Sequence, residues 1–331
     1  MPELPEVEHY RRLLLPLLGQ QIKFTLCSEK PPRTFVTQEQ VESLQSSKLV
    51  DVLRKGKLLC LILEKSKTKR YLFLHMGMTG RISTPDEIPK LESLSSTNSY
   101  PPPHTHLEIC CSPTPRACFS DPRKFGSVVL TDSLEQGFGE LAPDAWTEDW
   151  SVEKLVQQAM AAKTILLDQK CVLSGVGNWV ADEVLYQCEV HPDQTYLTQH
   201  EAQRLKQTLQ HILDTAVDCL ESNRDFPSDW MFHRRWSKRS NGAVKDCQGR
   251  LVKFVTSASR TSAICPAIQK AQSRTAQRVT HNSDQKQTVG GTNTRKNTSA
   301  DTVKTSGGKS NNKRIIDSTD EKPKRRGGRL A

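Results

Sequence analysis

Apolar positions Val7, Tyr10, Leu14, Leu17 and Leu18 recur at helical spacing, which predicts a helix over residues 5–18 that Gly19 closes. The period then changes. Short β-type runs at residues 22–27, 49–53, 58–63 and 71–74, then 106–110, 117–119 and 127–130, are separated by turn residues. Many short strands of this kind predict a β-sandwich or barrel. Residues 83–103 are rich in Ser, Thr and Pro and read as an exposed insertion. Around residues 141–149 the pattern turns helical and stays so to Asn223. Val180, Val184, Leu185 and Cys188 form one stripe, and Leu205, Leu209, Ile212, Leu213, Ala216, Val217 and Leu220 a longer one. Residues 252–255 and 263–265 then suggest a β-hairpin. The fold class expected is α+β, with domains over 1–145 (sandwich), 146–225 (helical), 226–270 (hairpin finger) and a tail over 271–331.

The tail changes the picture of charge. It holds 14 Lys/Arg and 5 Asp/Glu, net +9, whereas residues 1–270 hold 33 and 32, net +1. An anion-binding site in the folded part must therefore come from placed cations rather than bulk charge. The tail has no Phe, Trp, Tyr or Cys, so it cannot bury enough apolar area to offset its ordering entropy and is expected to be disordered. Its run Lys322-Pro323-Lys324-Arg325-Arg326 suggests a nuclear address, against the plainer reading of a solvated basic stretch. Ten cysteines include one adjacent pair, Cys110-Cys111, and no Cys-x-x-Cys, so neither a zinc site nor another metal or cofactor is expected. No leader or membrane span is expected.

The opening Met1-Pro2-Glu3-Leu4-Pro5-Glu6-Val7-Glu8 carries candidate chemistry. With Met1 removed, Pro2 is a secondary amine; α-amino groups titrate near ~8, so a useful fraction is neutral at neutral pH. Such an amine can attack a sugar C1′ or a carbonyl, and Glu3 beside it can move protons. The same residues also make an ordinary helix start, with Pro5 in the first turn and Glu6 and Glu8 at the positive end of the dipole.

Further motifs have double readings. Lys57 in Arg54-Lys55-Gly56-Lys57 either tips a solvated hairpin or projects into a cleft to hold a phosphate or act as an acid. Met78, in His75-Met76-Gly77-Met78-Thr79-Gly80-Arg81, is either core filler or a wedge for the gap left by an extruded base. Arg123 and Phe125, in Asp121-Pro122-Arg123-Lys124-Phe125-Gly126, are either a surface turn or a guanidinium and ring for an orphaned base, on one side of an extended segment. Gly175-Val176-Gly177-Asn178 precedes a helix and brings backbone N–H groups to an anion, or is a simple tight turn. Arg260 is placed at a hairpin tip, incidental or reaching a phosphate.

In their order these motifs resemble the formamidopyrimidine-DNA glycosylase/endonuclease VIII family over about residues 2–270. Gly177-Asn178-Trp179-Val180-Ala181-Asp182-Glu183 and Phe226-Pro227-Ser228-Asp229-Trp230 are most similar to its plant and fungal formamidopyrimidine-DNA glycosylases. The resemblance implies an N-terminal β-sandwich, a C-terminal helix–two-turn–helix domain and a finger hairpin, here without the zinc cysteines. It implies Pro2 as nucleophile, Glu3 as the proton donor that opens the sugar, and Lys57 as the lysine needed for strand cleavage. It makes Met78, Arg123 and Phe125 the residues that fill the helix. It assigns phosphate contacts to His75, Asn178 and Arg260, and a further DNA contact to His104. The activity implied is bifunctional, glycosylase and abasic-site lyase by β,δ-elimination, on formamidopyrimidines and hydantoins, with 8-oxoguanine left open. The partner is duplex DNA with damaged bases or abasic sites, met by a monomer without a cofactor. The alternative is a binder of damaged DNA without catalysis. Residues 163–168 look about three shorter than the family pattern and lack a lysine expected there, which casts doubt on a helix start and one phosphate contact.

Overall fold

Helix α1 spans Leu4–Leu14 and tightens into a 3-10 turn, Leu15–Leu17. The single helix expected to residue 18 is divided because Pro16 has no N–H to donate back to the preceding turn. Gly19 follows at φ 79° and donates its N–H to Leu49 O at 2.8 Å. The computed structural model describes residues 1–90, 99–111, 116–157, 160–239 and 242–271. The basic tail, its expected disorder and its lysine-arginine run lie outside them.

Strands β1 (Gln21–Leu26), β2 (Ser47–Lys55), β3 (Leu58–Lys65), β4 (Thr68–His75), β5 (Arg81–Ser83), β6 (Thr105–Cys110), β7 (Arg116–Ser120) and β8 (Ser127–Thr131) form one antiparallel sheet. Its order is β5-β7-β6-β1-β2-β3-β4-β8. β1 pairs with β2 on one side and β6 on the other, so it joins two half-sheets. Side chains from both halves, among them Leu61, Leu74, Leu107 and Phe119, line one core with Val7, Tyr10 and Leu14 of α1. This is the sandwich expected.

β3 is apolar on both faces because both are covered: Cys60, Ile62 and Phe73 pack outward against Leu134 and Phe138, which flank and end helix α3 (Glu135–Phe138). Sequence periodicity missed α2 (Gln38–Leu44), although Thr37 and Gln40 form a reciprocal capping box at its start. The stretch read as an exposed insertion is partly tied down. Ser83 ends β5, Pro89 O accepts from Arg81 Nη1 at 3.2 Å, and Glu87 Oε1 meets His9 Nε2 on α1 at 2.6 Å.

The helical half holds α4 (Glu153–Gln157), α5 (Ala162–Leu166), α6 (Asn178–Gln187) and α7 (Gln199–Glu221). α7 begins with a capping box, Thr198 with Glu201, and buries the apolar stripe from Leu205 to Ala216 against α6. Leu4 belongs to this core, while Val7, three residues on, belongs to the sheet's. α1 is thus common to both. Helix α8 (Phe232–Arg235) leads to a hairpin of β9 (Lys253–Ser257) and β10 (Arg260–Ile264). Ala258 and Ser259 both have φ above 45°, the geometry of a two-residue hairpin turn. Arg260 is therefore the first residue of the returning strand, paired with Ser257, rather than the tip itself.

Candidate active site

The start of α1 is anchored by the start of α6. Glu3, 2% exposed, accepts the Trp179 N–H at 2.9 Å and the Val180 N–H at 3.1 Å. The glycines before α6 do bring backbone N–H groups to an anion, but that anion is Glu3's own carboxylate. Gly177 is required for this: a Cβ there would strike the Glu3 carboxyl carbon. Gly175, at φ +107°, lies against Leu4, whose N–H donates to Gly175 O at 3.2 Å. Glu6 closes the arrangement, accepting the Glu3 N–H at 3.0 Å and Trp179 Nε1–H at 3.1 Å. Burial, and then the Glu3 charge, push the half-buried Glu6 carboxyl up to about 7.

Pro2 is buried and Met1 half-buried above it. The Met1 amine sits among Glu6, Glu3, Arg235 and Lys57; burial lowers its pKa, the two cations add to that, and the carboxylates oppose it. Removal of Met1 leaves the Pro2 nitrogen one residue further along the chain, beside Glu3.

Lys57, at the β2–β3 turn, donates Nζ–H to Val176 O at 2.9 Å, in the loop that seats Glu3. Burial depresses its pKa; Glu3 and Glu6 oppose this and Arg260 reinforces it. Lys57 therefore turns inward to the loop before α6 rather than into solvent. The turn is clamped through Arg54, whose Nε donates to Glu8 Oε2 at 3.1 Å. Its Nη2 donates to Asp144 Oδ1 at 3.1 Å, and its Nη1 to Asp144 Oδ2. The Gly56 N–H donates to the same Asp144 Oδ2 at 2.7 Å. Burial opposes the Asp144 charge, but the Arg54 fork outweighs it and the carboxyl sits below its ordinary value.

His75 ends β4. Its side chain reaches solvent, yet the protein atoms crowding it, then Lys57, lower its pKa. Its Nδ1 accepts the Gly77 N–H at 3.2 Å, which leaves the proton of the neutral ring on Nε2, as a donor.

Beyond His75, one buried carboxylate ties together the segments that carry Met78, His104, Arg123 and Phe125. Asp121 Oδ1 accepts Thr79 Oγ1–H at 2.6 Å and the Arg123 N–H at 3.2 Å, and Oδ2 accepts the Gly126 N–H at 2.7 Å. The Asp121 N–H donates to His104 O at 3.0 Å. Met78 (40% exposed) and Phe125 (57% exposed) thus stand outward on a rigid base. Arg123 and Phe125 are not on an extended segment as expected. Asp121 folds the loop into a turn, with Lys124 at φ 56°. The two still meet, the Arg123 guanidinium lying 5.0 Å from the Phe125 ring centroid. Gly77 fits because a Cβ there would strike the Phe125 backbone.

Asn178 reaches the hairpin at Thr261, the residue after Arg260. Asn178 Nδ2–H donates to Thr261 O at 3.1 Å, while its Oδ1 is buried without a hydrogen-bond partner. In the short segment, Lys163 lies in the first turn of α5 and is fully buried. Its Nζ contacts Asp182 Oδ1 at 2.7 Å and Ser262 Oγ at 2.5 Å, so it braces the hairpin from within. Arg235 and Asp182 did not emerge as site residues from the sequence because their partners are distant in the chain; Glu6 and Asp121 were read there only as helix-start and turn residues. Among the described residues no group of three or more His, Cys, Asp or Glu could hold a metal. The hairpin base is closed by Asp246, which accepts from Tyr186 Oη at 3.1 Å and Arg250 Nε at 2.6 Å.

A sandwich and a helical half share α1, whose N-terminus is pinned on the α6 start beside the loop that takes Lys57. The formamidopyrimidine-DNA glycosylase N-terminal domain matches residues 1–128 and the H2TH domain of the same enzymes matches residues 141–226. The chain belongs to the formamidopyrimidine-DNA glycosylase family. It is 30% identical to a formamidopyrimidine-DNA glycosylase of Arabidopsis thaliana, over 84% of this chain and 73% of that one. It is 29% identical to one of Edwardsiella ictaluri, over 82% and 100%. Among solved structures it is similar to MutM in complex with carbocyclic 8-oxo-G containing DNA, with TM-score 0.63 and 25% identity over 81% of this chain and 100% of that one. The Lactococcus lactis Fpg complex with abasic-site DNA has the same fold, with TM-score 0.63, 23% identity and the same coverage.

Proposed function

We propose that this protein is a DNA glycosylase of base excision repair that also cleaves abasic sites, acting on oxidised purines in duplex DNA as a monomer. The observation that carries this reading is the convergence of Pro2, Glu3 and Lys57: Glu3 is held by two α6 N–H groups and Lys57 by Val176 O in the adjoining loop. After Met1 is removed, the Pro2 nitrogen attacks C1′ of the damaged nucleotide and the base leaves, taking its proton from water. The Glu3 carboxylate accepts the proton that the Pro2 nitrogen loses and delivers it to O4′, the sugar ring opens, and an iminium forms, which water hydrolyses at the end to free Pro2. The iminium acidifies C2′–H, so the 3′ phosphate leaves by β-elimination and the 5′ phosphate by δ-elimination, with Lys57 beside the charges that develop. Met78, Arg123 and Phe125 fill the vacated stack. His75, Asn178 and Arg260, with His104 further along, hold the backbone. The substrates on this reading are formamidopyrimidines and hydantoins, and the hairpin works without zinc. The relatives' names and the damaged DNA in the complexes of its structural neighbours support the glycosylase part. Domains over 1–145, 146–225, 226–270 and 271–331 fit the same reading, as does action in the nucleus, which imaging of a tagged tail deletion tests.

Borohydride reduction tests the chemistry. Wild-type protein forms a covalent adduct with abasic-site DNA, and Pro2→Gly loses most of it. Full trapping by Pro2→Gly assigns the nucleophile elsewhere. No trapping by any form, with binding intact, leaves a damaged-DNA binder; so does a mature chain that keeps Met1, which mass spectrometry detects.

A further inference from the structure

The carbonyl that receives Lys57 has a second donor, which the chemistry above leaves unused. Gln169 Nε2 donates to Val176 O at 2.8 Å, beside Lys57 Nζ at 2.9 Å on the same oxygen. A carbonyl oxygen offers two lone pairs, and these donors occupy both. At the other end of the same amide, Gln169 Oε1 accepts the Gly175 N–H at 2.9 Å, and Nε2 also reaches Leu167 O at 3.2 Å. These contacts fix which way the amide faces: turned over, its oxygen would meet two carbonyls and its NH2 an N–H. The local sequence aims the side chain there. Asp168 Oδ1 accepts the Lys170 and Cys171 N–H groups at 3.0 and 2.9 Å, folding an Asx turn just after α5. Gln169 O takes the Ala142 N–H at 3.0 Å, which anchors the residue's main chain. The peptide it grips also meets α1, since Gly175 O accepts the Leu4 N–H at 3.2 Å.

We propose that Gln169 is a positioning residue for strand cleavage: its amide spans Gly175 and Val176 and so fixes the carbonyl on which the Lys57 ammonium rests, beside the start of α1. This rests on the proposed role of Lys57. Val176 O is the one hydrogen-bond acceptor of Lys57 Nζ among the described residues, so the charge follows that oxygen. The Arg54–Asp144 clamp fixes the backbone of the β2–β3 turn, but beyond the backbone a lysine is a flexible four-carbon stem. Its head needs its own anchor. A neutral carbonyl holds an ammonium in place without cancelling its charge, which leaves the cation available to a departing phosphate. The reactive end of α1 is less dependent on Gln169, because Glu3 has separate seats on the Trp179 and Val180 N–H groups. Loosening the Gly175–Val176 peptide therefore displaces Lys57 before it displaces Pro2.

The test compares two single-turnover readouts on abasic-site duplex, strand cleavage and borohydride trapping, with full-length protein shown by mass spectrometry to lack Met1. Gln169→Met keeps the reach of the side chain and removes its hydrogen bonds. Strand cleavage falls by about 10- to 100-fold, the effect of moving a reacting group by up to roughly 1 Å, while trapping stays within about threefold of wild type. In a Lys57→Met background, which itself cleaves slowly, Gln169→Met brings no further loss of cleavage, because a residue that acts through Lys57 has nothing left to position. A merely structural role lowers both readouts together and adds its loss to that of Lys57→Met. Should Gln169→Met melt at the assay temperature, Gln169→Glu decides in its place: it keeps the acceptor for the Gly175 N–H, removes the donor to Val176 O, and is expected to show the same split. An unmoved cleavage rate, equal losses of cleavage and trapping, or a further loss in the Lys57→Met background overturns the proposal and leaves the Pro2 chemistry standing. A Lys57→Met protein that cleaves like wild type, or a wild-type protein that traps nothing, overturns the underlying reading and this proposal with it.

Discussion

Gly177→Ala places one methyl group where the catalytic proposal is most exposed to refutation. Gly177 has φ −117° and ψ −160°, an extended conformation open to any residue, so the substitution brings no backbone strain. Its effect is steric: the new Cβ would overlap the Glu3 carboxyl group. The carboxylate must leave the α6 start, giving up the bonds from Trp179 and Val180 at 2.9 and 3.1 Å. A hydrogen bond to a charged group contributes about 1.5–3 kcal/mol net. Water in the cleft re-solvates part of what is lost, so we expect a destabilisation of about 2–3 kcal/mol rather than the sum. Displacing a reacting group by roughly 1 Å costs on the order of 100-fold in rate. Single-turnover base release should therefore fall about 100-fold, while affinity for uncleaved duplex, set by cations elsewhere, stays within about threefold. Urea melts and rapid-quench kinetics on a lesion duplex measure both. A folded Gly177→Ala protein releasing the base at the wild-type rate would falsify the role given to Glu3.

Three further outcomes follow from other contacts. Asp121→Ala strips the acceptor from the Thr79 hydroxyl and the Arg123 and Gly126 N–H groups; we expect a loss of at least about 3 kcal/mol by chemical denaturation and weaker binding to lesion duplex, with unchanged stability refuting the hub. Arg54→Met leaves Asp144 and Glu8 buried without their shared cation, costing about 3–5 kcal/mol; a melting profile like wild type would show the clamp to be idle. Burial pushes Glu183 up to about 7 from 4.5. A carboxyl raised in the fold contributes stability that is present below pH 4.5 and lost as pH rises through 7. Denaturation free energy measured across that window should fall with pH, and Glu183→Gln should flatten the slope whatever it does to the absolute value.

Much of the sandwich was legible because its strands are short, apolar and punctuated: the runs at 22–27, 58–63 and 106–110 fall on β1, β3 and β6 almost residue for residue. α2 was not, since its apolar face is only Val41 and Leu44, too little for a period to register. β5 is three residues long and owes its existence to β7 beside it. The site divides in the same way. Pro2, Glu3, Lys57, Arg123 and Phe125 stand in compact motifs whose chemistry can be read locally. Asp121 and Asp182 look like ordinary turn and helix residues in the sequence; what it does not show is that Asp121 also takes Thr79 and that Asp182 takes Lys163 and Arg235. The Gly-x-Gly turn could be read equally as an anion seat or a simple tight turn; the carboxylate it receives, Glu3, comes from the other end of the chain.

The double allegiance of α1 has a consequence for anyone dividing this protein. A fragment starting after residue 145 would display a vacant socket where Leu4 inserts beside Val176 and Trp179, and the complementary piece would carry Leu4 into water. Gene-fusion and split-reporter designs that cut between the strands and the helices should yield pieces that aggregate apart and recover only when mixed, with the reactive end reassembled by the same leucine.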